Sequence, residues 1–303
     1  MFLVILLLWK SQNTRLQLKM CRKKNEANRY GFCLGENSSK CVPPFQSGVY
    51  HRVYKVADAY RLLGCTIEKN FSTALVAIIC YLYNETAFII NNRVISEEYY
   101  QNRFCKYLNE YSSLSEIESK FNSSLEDWTM IAVLRDPLER FVSGFTDKCL
   151  REMVWRYYPK RCLGCYTNLT CFMEKLYDKM MKMTNTNFTG DFIAHHFFPQ
   201  SWRCQFHMHY HSYQILKFST FNPAEFISDL TTTLLLLDIP GSSIGYIDRS
   251  ISSTRTVHTT RGTAEQENTK RKILSDSYLM DLFIRMFYYD FVLFGFPFPD
   301  ASE

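Results

Sequence analysis

The sequence predicts an α/β fold, and two stretches predict it. Residues 130–134 are a short continuous apolar run of strand type; Arg135 ends the run and helix start signals follow. Well upstream, residues 60–65 read as a strand running into a loop, and residues 74–83 then form a strongly apolar helix. A strand, a sharp turn and a helix, given twice, is the pattern of a sheet whose strand ends bind ligands.

The later unit is the more detailed. Asp136 suits an N-cap, Pro137 the first helical position, and Glu139 the place where a capping box needs its carboxylate. Leu138, Phe141, Val142, Phe145 and Cys149 recur at helical spacing, so one face is apolar, while Arg140, Ser143 and Asp147 fall on another. Arg135 stands at the C-terminal end of the strand. With Ser143 two turns on, it could hold a phosphate, one as a bidentate cation and one as a hydroxyl donor. An ordinary surface arginine before a capped helix is the alternative.

The earlier unit, residues 65–73 (CTIEKNFST), puts a loop directly before a helix. First-turn N–H groups are unsatisfied and the helix dipole adds partial positive charge, so such a loop binds phosphate. Ser72 and Thr73 supply hydroxyls, and Lys69 is placed to reach the anion. The loop has no glycines, so it is not a Walker A segment, which disfavours an ATP phosphotransferase.

The remaining elements follow in order. Residues 10–48 are polar and basic, with Cys21, Cys33 and Cys41 and a Pro43–Pro44 break, and read as a stem clipped by one bridge. Residues 50–55 read as a short strand or lead-in and 86–90 as a strand, with 97–111 and 114–121 helical. Residues 151–171 are basic, aromatic and cysteine-rich, a surface excursion before a helix at 171–183. Residues 191–204 (DFIAHHFFPQSWRC) carry His195 and His196, both with a pKa suited to a general base. His207, His209 and His211 alternate as on one face of a strand and are assigned no metal. Residues 214–218 read as a strand, 223–237 as a helix, 250–262 as a polar loop holding Arg261, and 263–289 as one long helix.

The chain has 303 residues, 47% hydrophobic, with 24 Phe and 20 Tyr, enough for one large core. A net charge of +5 suits anionic substrates and is too small to imply nucleic acid. Eleven cysteines and six sequons (Asn37, Asn70, Asn84, Asn122, Asn168, Asn187) favour a secretory lumen. Asn70 falls in the ligand loop and should be bare. An odd cysteine count leaves at least one thiol free if every bridge is intramolecular; Cys80, in an apolar helix pattern, is the first candidate and Cys65 the second. Cys162, Cys165 and Cys171 lack a second ligand pair and read as a stapled loop rather than a zinc site. Phe2 to Trp9 are all apolar but fall short of the roughly 20 residues that cross a bilayer. They read as a truncated signal-anchor, a weak signal sequence or a buried strand.

The pattern RDPxxRxxSxF at residues 135–145 resembles the 3′-phosphate-binding segment of the Golgi carbohydrate sulfotransferases, which use 3′-phosphoadenylyl sulfate (PAPS). The loop around Lys69 resembles that family's 5′-phosphosulfate loop. The closing stretch, residues 288–296 (YYDFVLFGF), resembles its C-terminal ending and is read as packing. The resemblance is closest to the chondroitin and dermatan 4-O- and HNK-1-type branch, in a divergent nematode group, although chondroitin enzymes carry a Trp-Lys-Arg core in the first loop. It implies a P-loop-like central parallel sheet flanked by helices, in a catalytic domain spanning residues 49–303. It implies Lys69 at the bridging oxygen of PAPS, and Asn70, Ser72, Thr73, Arg135, Ser143 and a late-loop Arg261 at the nucleotide. His196 is preferred as base, no metal is needed, and the acceptor is a glycan or proteoglycan. It further implies glycosaminoglycan synthesis in the Golgi lumen by a type II membrane protein anchored through residues 1–9, with secretion as the alternative. A secreted carbohydrate-binding or inactive sulfotransferase-like protein is the runner-up.

Overall fold

A computed structural model describes residues 31–184, 186–220, 222–253 and 262–300. In chain order the elements are β1 (Gly48–Val49), β2 (Tyr54–Ala57), β3 (Leu62–Cys65), α1 (Ser72–Tyr83), α2 (Glu85–Ile90), β4 (Glu110–Tyr111) and α3 (Leu114–Phe121). Then come β5 (Thr129–Arg135), α4 (Pro137–Phe145), α5 (Leu169–Met183), β6 (Phe188–Thr189), α6 (Phe192–Phe197) and α7 (Phe206–His209). The last are β7 (Tyr213–Phe218), α8 (Pro223–Leu235), α9 (Gly241–Ser253), α10 (Ala264–Ser275) and α11 (Ser277–Phe294).

The five-stranded sheet has the order β4-β2-β3-β5-β7. Its β3, β5 and β7 are parallel, and β2 runs antiparallel to both its neighbours. β1 and β6 form a separate parallel ladder. Alternation along β5 supplies both faces. Met130, Ala132 and Leu134 join a core with α4, α5, α6 and α11. Ile131 and Val133 join another with α1, α8 and α9. A sheet covered by helices on both sides explains why the strand reads as continuously apolar. Gly64 on β3 lets α1 approach: a Cβ there would lie 2.3 Å from Ile79.

Four sequence expectations change. Residues 86–90 are helical, because the Asn84 side chain accepts the Ala87 N–H and starts a helix in what reads as a β-rich run. The stretch 97–111 holds 3₁₀ turns and β4 instead of a helix; Glu98 is drawn to Arg93 and to the Phe104 N–H (2.7 Å), and Glu110 to Arg103. The long C-terminal helix breaks at Asp276, whose carboxylate caps α11 through the N–H groups of Tyr278 (3.0 Å) and Leu279 (3.2 Å). His207 and His209 lie on α7, and His211 in a following turn, so they share no strand face.

The cysteines pair as 33–41, 65–204, 80–105, 149–162 and 165–171. Cys80 and Cys65, the first and second candidates for a free thiol, are both bridged, because the fold sets Cys105 and Cys204 against them. The eleventh cysteine, Cys21, lies outside the described residues, as does the apolar segment 1–9. Among the described residues no helix is long and apolar enough to cross a membrane. The end of the expected stem is packed down: Cys33, Cys41 and Val42 are buried, and Trp202 Nε1 donates to the Pro43 carbonyl at 2.9 Å.

The Cys65–Cys204 bridge closes a loop of 139 residues, whereas Cys165–Cys171 closes one of 6. Chain-entropy arithmetic gives the first about 4–5 kcal/mol and the second about 2 kcal/mol. Paired Cys→Ala replacements, compared by urea unfolding, are expected to follow that order, and equal losses would refute it.

Candidate functional site

The C-terminal ends of β3 and β5 open onto a cavity of about 670 Å³. Lys69, Ser72, Thr73, Arg135, Ser143 and His196 all line it. Residues from three separate parts of the sequence thus meet at one place, at the strand ends where open α/β sheets bind ligands.

The loop between β3 and α1 dispenses with glycine by accepting left-handed backbone at side-chain-bearing residues. Lys69 has φ +72° and Phe71 φ +61°. Such conformations cost on the order of 1–2 kcal/mol each and persist where surrounding contacts fix them. Phe71 is so fixed, its ring 5.4 Å from Phe218 and 4.9 Å from Phe226. As N-cap of α1, Phe71 offers no side-chain acceptor. The first-turn N–H groups beside Ser72 and Thr73 therefore have no side-chain cap from that position, the setting in which a helix end takes an anion.

Arg135 joins the two motifs directly. Its Nη1 donates to the Lys69 carbonyl at 3.1 Å, and its Nε pairs with Glu139 at 3.1 Å. Glu139 also accepts from Thr220 at 3.0 Å. The capping box expected of Glu139 gives way to this pairing, and Asp136 alone caps α4 through the Leu138 and Glu139 N–H groups. Ser143 faces the cavity from the second turn of α4.

Lys69 forms an ion pair with Asp147, which also pairs with Lys148 at 2.9 Å. Burial pulls the Lys69 ammonium below the ordinary lysine range, with Asp147 opposing it. Burial alone would raise the Asp147 carboxyl, but Lys69 and Lys148 outweigh that and keep it ionised. Asp147 and Lys148 belong to a π-helical turn, Thr146–Arg151, that continues α4; such turns are frequent at functional sites.

Two expected nucleotide contacts fare differently. The Asn70 side chain is fully buried and does not line the cavity; its Nδ2 donates to the Val133 carbonyl at 3.0 Å and to Gln200. It ties the loop to β5, which corrects its assignment as a ligand contact and agrees with an unglycosylated sequon. Arg261 lies outside the described residues.

Both histidines line the cavity. His196 Nδ1 lies 2.8 Å from the Phe192 carbonyl, which can only accept, so Nδ1 carries the proton and Nε2 the lone pair. Desolvation in the wall, with Lys69 and Lys148 nearby, pushes its pKa down from 6.5 to about 3. His195 Nδ1 lies 2.8 Å from Glu68 Oε1. Burial opposes ionisation of Glu68, but Arg203 and His195 outweigh it and hold the carboxyl well below the usual range. A carboxylate behind one ring nitrogen fixes the tautomer and the orientation of the ring.

Sequence reasoning did not single out Glu68, Gln200, Arg203 or Asp290 for this site and gave Arg140 only a polar face. Arg140 is buried and donates to the carbonyls of Glu68 (3.1 Å) and Phe198 (2.8 Å). Arg203 pairs with Glu68 at 2.8 Å and stacks 3.9 Å from the Tyr50 ring centroid. Gln200 accepts from the Arg135 N–H (3.0 Å) and donates to the Arg135 carbonyl (2.8 Å). Asp290 accepts the backbone N–H groups of Gln200 (2.7 Å) and Ser201 (2.9 Å), so the closing segment anchors the site as well as packing. The second arginine of RDPxxR was the available signal for Arg140. Among the described residues, no group of His, Cys, Asp and Glu could hold a metal ion.

Residues 52–297 match the profile described as the sulfotransferase family. The chain is 31% identical over 292 residues to the carbohydrate sulfotransferase chst-1 of Caenorhabditis elegans, covering 94% of this chain and 84% of that protein. It is 31% identical over 217 residues to the putative sulfotransferase vep-2 of the same organism, covering 71% and 67%. An uncharacterized protein of that nematode is 31% identical over 274 residues, covering 89% and 75%. No solved structure matches the chain significantly.

Gln200→Leu is nearly isosteric but strips partners from the Arg135 backbone and from Asn70. A loss of about 2–4 kcal/mol in urea unfolding is expected, since each unpaired buried group costs about 1–3 kcal/mol; unchanged stability would refute the bridging role. His196 gives a pH prediction. Its folded pKa of about 3 lies below the ordinary 6.5, so the folded protein binds fewer protons between those values. Its contribution is complete above pH 6.5 and is lost as pH falls through that window. The slope of unfolding free energy against pH should flatten there in His196→Gln.

Proposed function

The chain belongs to the sulfotransferase family, and on that premise we propose that it moves a sulfuryl group from PAPS to a hydroxyl of a glycan. The observation that carries this reading is the meeting of Lys69, Arg135 and Ser143 at one cavity beside the N-terminus of α1. Arg135 and Ser143 hold the 3′-phosphate by charge-assisted and hydroxyl hydrogen bonds. The first turn of α1, with Ser72 and Thr73, receives the 5′-phosphosulfate. Phe71 and Phe218, also in the cavity wall, offer the base an aromatic surface.

In the reaction the acceptor oxygen attacks sulfur in line while the bond from sulfur to the phosphate oxygen breaks. Charge builds on that oxygen, and Lys69 is the cation set to neutralise it. Its present partner, Asp147, keeps the ammonium charged and positioned. The acceptor proton goes to a histidine. His196 has its Nε2 lone pair, but burial makes it a weak base. His195 is the other candidate, with Glu68 2.8 Å behind its Nδ1 to fix the ring's tautomer and orientation. His195→Ala and His196→Ala, compared for kcat, separate the two.

A carbohydrate acceptor is supported by the name of the relative chst-1. A chondroitin- or dermatan-type chain is the finer proposal, and it rests on the motif resemblance. Five disulfides favour an oxidising compartment such as the Golgi lumen.

Calorimetric titration with adenosine 3′,5′-bisphosphate tests the reading. Arg135→Ala should weaken binding about 10- to 100-fold, the worth of a charge-assisted contact. Lys69→Ala should slow transfer from labelled PAPS by about 100- to 1,000-fold while changing nucleotide affinity far less. Absence of binding by folded wild-type protein would end the proposal.

A further inference from the structure

Residues 146–171 leave α4 through the π-helical turn and rejoin the body at α5. The Cys149–Cys162 and Cys165–Cys171 bridges pin this insert. Its two acids, Asp147 and Glu152, are already paired with lysines, Asp147 with Lys69 and Lys148 and Glu152 with Lys148. Arg156, Lys160 and Arg161 add positive charge beyond those pairs. Its tyrosines are turned to solvent: Tyr157 is 81% exposed, Tyr158 56% and Tyr166 55%. Exposed aromatic rings beside cations, on a segment held by two bridges, call for a binding explanation, since packing does not require them.

Arg161 connects this surface to the cavity. Its guanidinium lies 3.9 Å from the ring centroid of Tyr158 and 4.4 Å from that of Phe192. The Phe192 ring lies 4.3 Å from that of His196. Tyr158, Arg161, Phe192 and His196 thus form an unbroken stack from the exposed insert to the reacting end of the cavity, which Arg161, Phe192 and His196 line. Among the described residues Arg161 has no carboxylate partner. A guanidinium stacked on rings presents its donors along its edge, the geometry a carboxylate meets with two parallel hydrogen bonds.

We propose that the stapled insert is the acceptor platform for an anionic, carboxylate-bearing oligosaccharide, with Arg161 reading the charge and Tyr158 supporting a sugar ring. This rests on the transferase reading and narrows it. The acceptor is a chain several sugars long, because the stack reaches from the surface to the histidines. Tyrosine supplies large rigid amphipathic contact area, and the excess positive charge draws in a polyanion. Two bridges hold the platform in shape before the sugar arrives, which lowers the ordering cost of binding.

The test is fluorescence polarisation of labelled chondroitin oligosaccharide and of its carboxyl-reduced counterpart, each with adenosine 3′,5′-bisphosphate present. Nucleotide binding is titrated in parallel. Wild-type protein should prefer the carboxylate form by at least about 10-fold. Arg161→Ala should abolish the preference with nucleotide affinity unchanged. Arg161→Lys, which keeps the charge without the planar fork, should lose most of it, and Tyr158→Ala, at an exposed site, should weaken both sugars. Wild-type protein that binds the nucleotide but takes both sugars equally, or that keeps its preference in Arg161→Ala, overturns the platform alone. Wild-type protein that binds neither nucleotide nor sugar overturns the platform and the transferase reading together.

Discussion

Two guanidinium groups meet at one carbonyl, and the cavity is organised around that meeting. Arg140, from α4, and Arg203, from the segment after α6, both donate to the His195 carbonyl, at 3.4 and 3.1 Å. Arg140 also takes the Glu68 carbonyl, and Arg203 takes the Glu68 carboxylate. Loop, helix and histidine segment are thereby fixed to one another. Two buried cations side by side would be prohibitive without compensation, because each loses its hydration. Glu68 and Asp290 supply opposing charge, and backbone carbonyls accept from all three nitrogens of Arg140.

That arrangement explains how the residues facing the ligand are held. The Arg135 guanidinium donates to the Lys69 carbonyl, Asn70 ties the same loop to β5, and Gln200 locks the Arg135 peptide from behind. Asp290 fixes Gln200 in turn, so α11 reaches the site through three residues in contact. The cavity rim is built on the opposite principle. It uses exposed rings and short bridged loops, carried on a π-helical turn whose Thr146, Asp147 and Cys149 belong to the buried frame.

Much of this was legible in the chain. The two strand-to-helix units are local, and apolar run, cap and proline announce them within a few residues. β5 and α4 fall where residues 130–134 and Asp136 put them. Lys69, Ser72, Thr73, Arg135, Ser143 and His196 carry recognisable chemistry and do line one cavity. What failed was long-range. Cys80 resembles a buried thiol until the fold presents Cys105. Asn70 resembles a loop ligand until its partners, 63 and 130 residues away, turn it inward. Gln200, Arg203 and Asp290 look like ordinary polar residues, since nothing within a helical turn shows what they touch. Residues 86–90 misled for a different reason: threonine, phenylalanine and two isoleucines favour a strand, and one asparagine cap reverses the outcome.

The left-handed backbone at Lys69 and Phe71 bears on how the loop meets its ligand. A glycine-rich phosphate loop samples many shapes and settles into one when the anion arrives. Here side chains narrow that sampling, and Phe71 is clamped between two further rings. The loop is therefore a mould already set rather than a wrap that forms around its contents. The expense of shaping it is met once, when the protein folds, and does not recur with each molecule of donor.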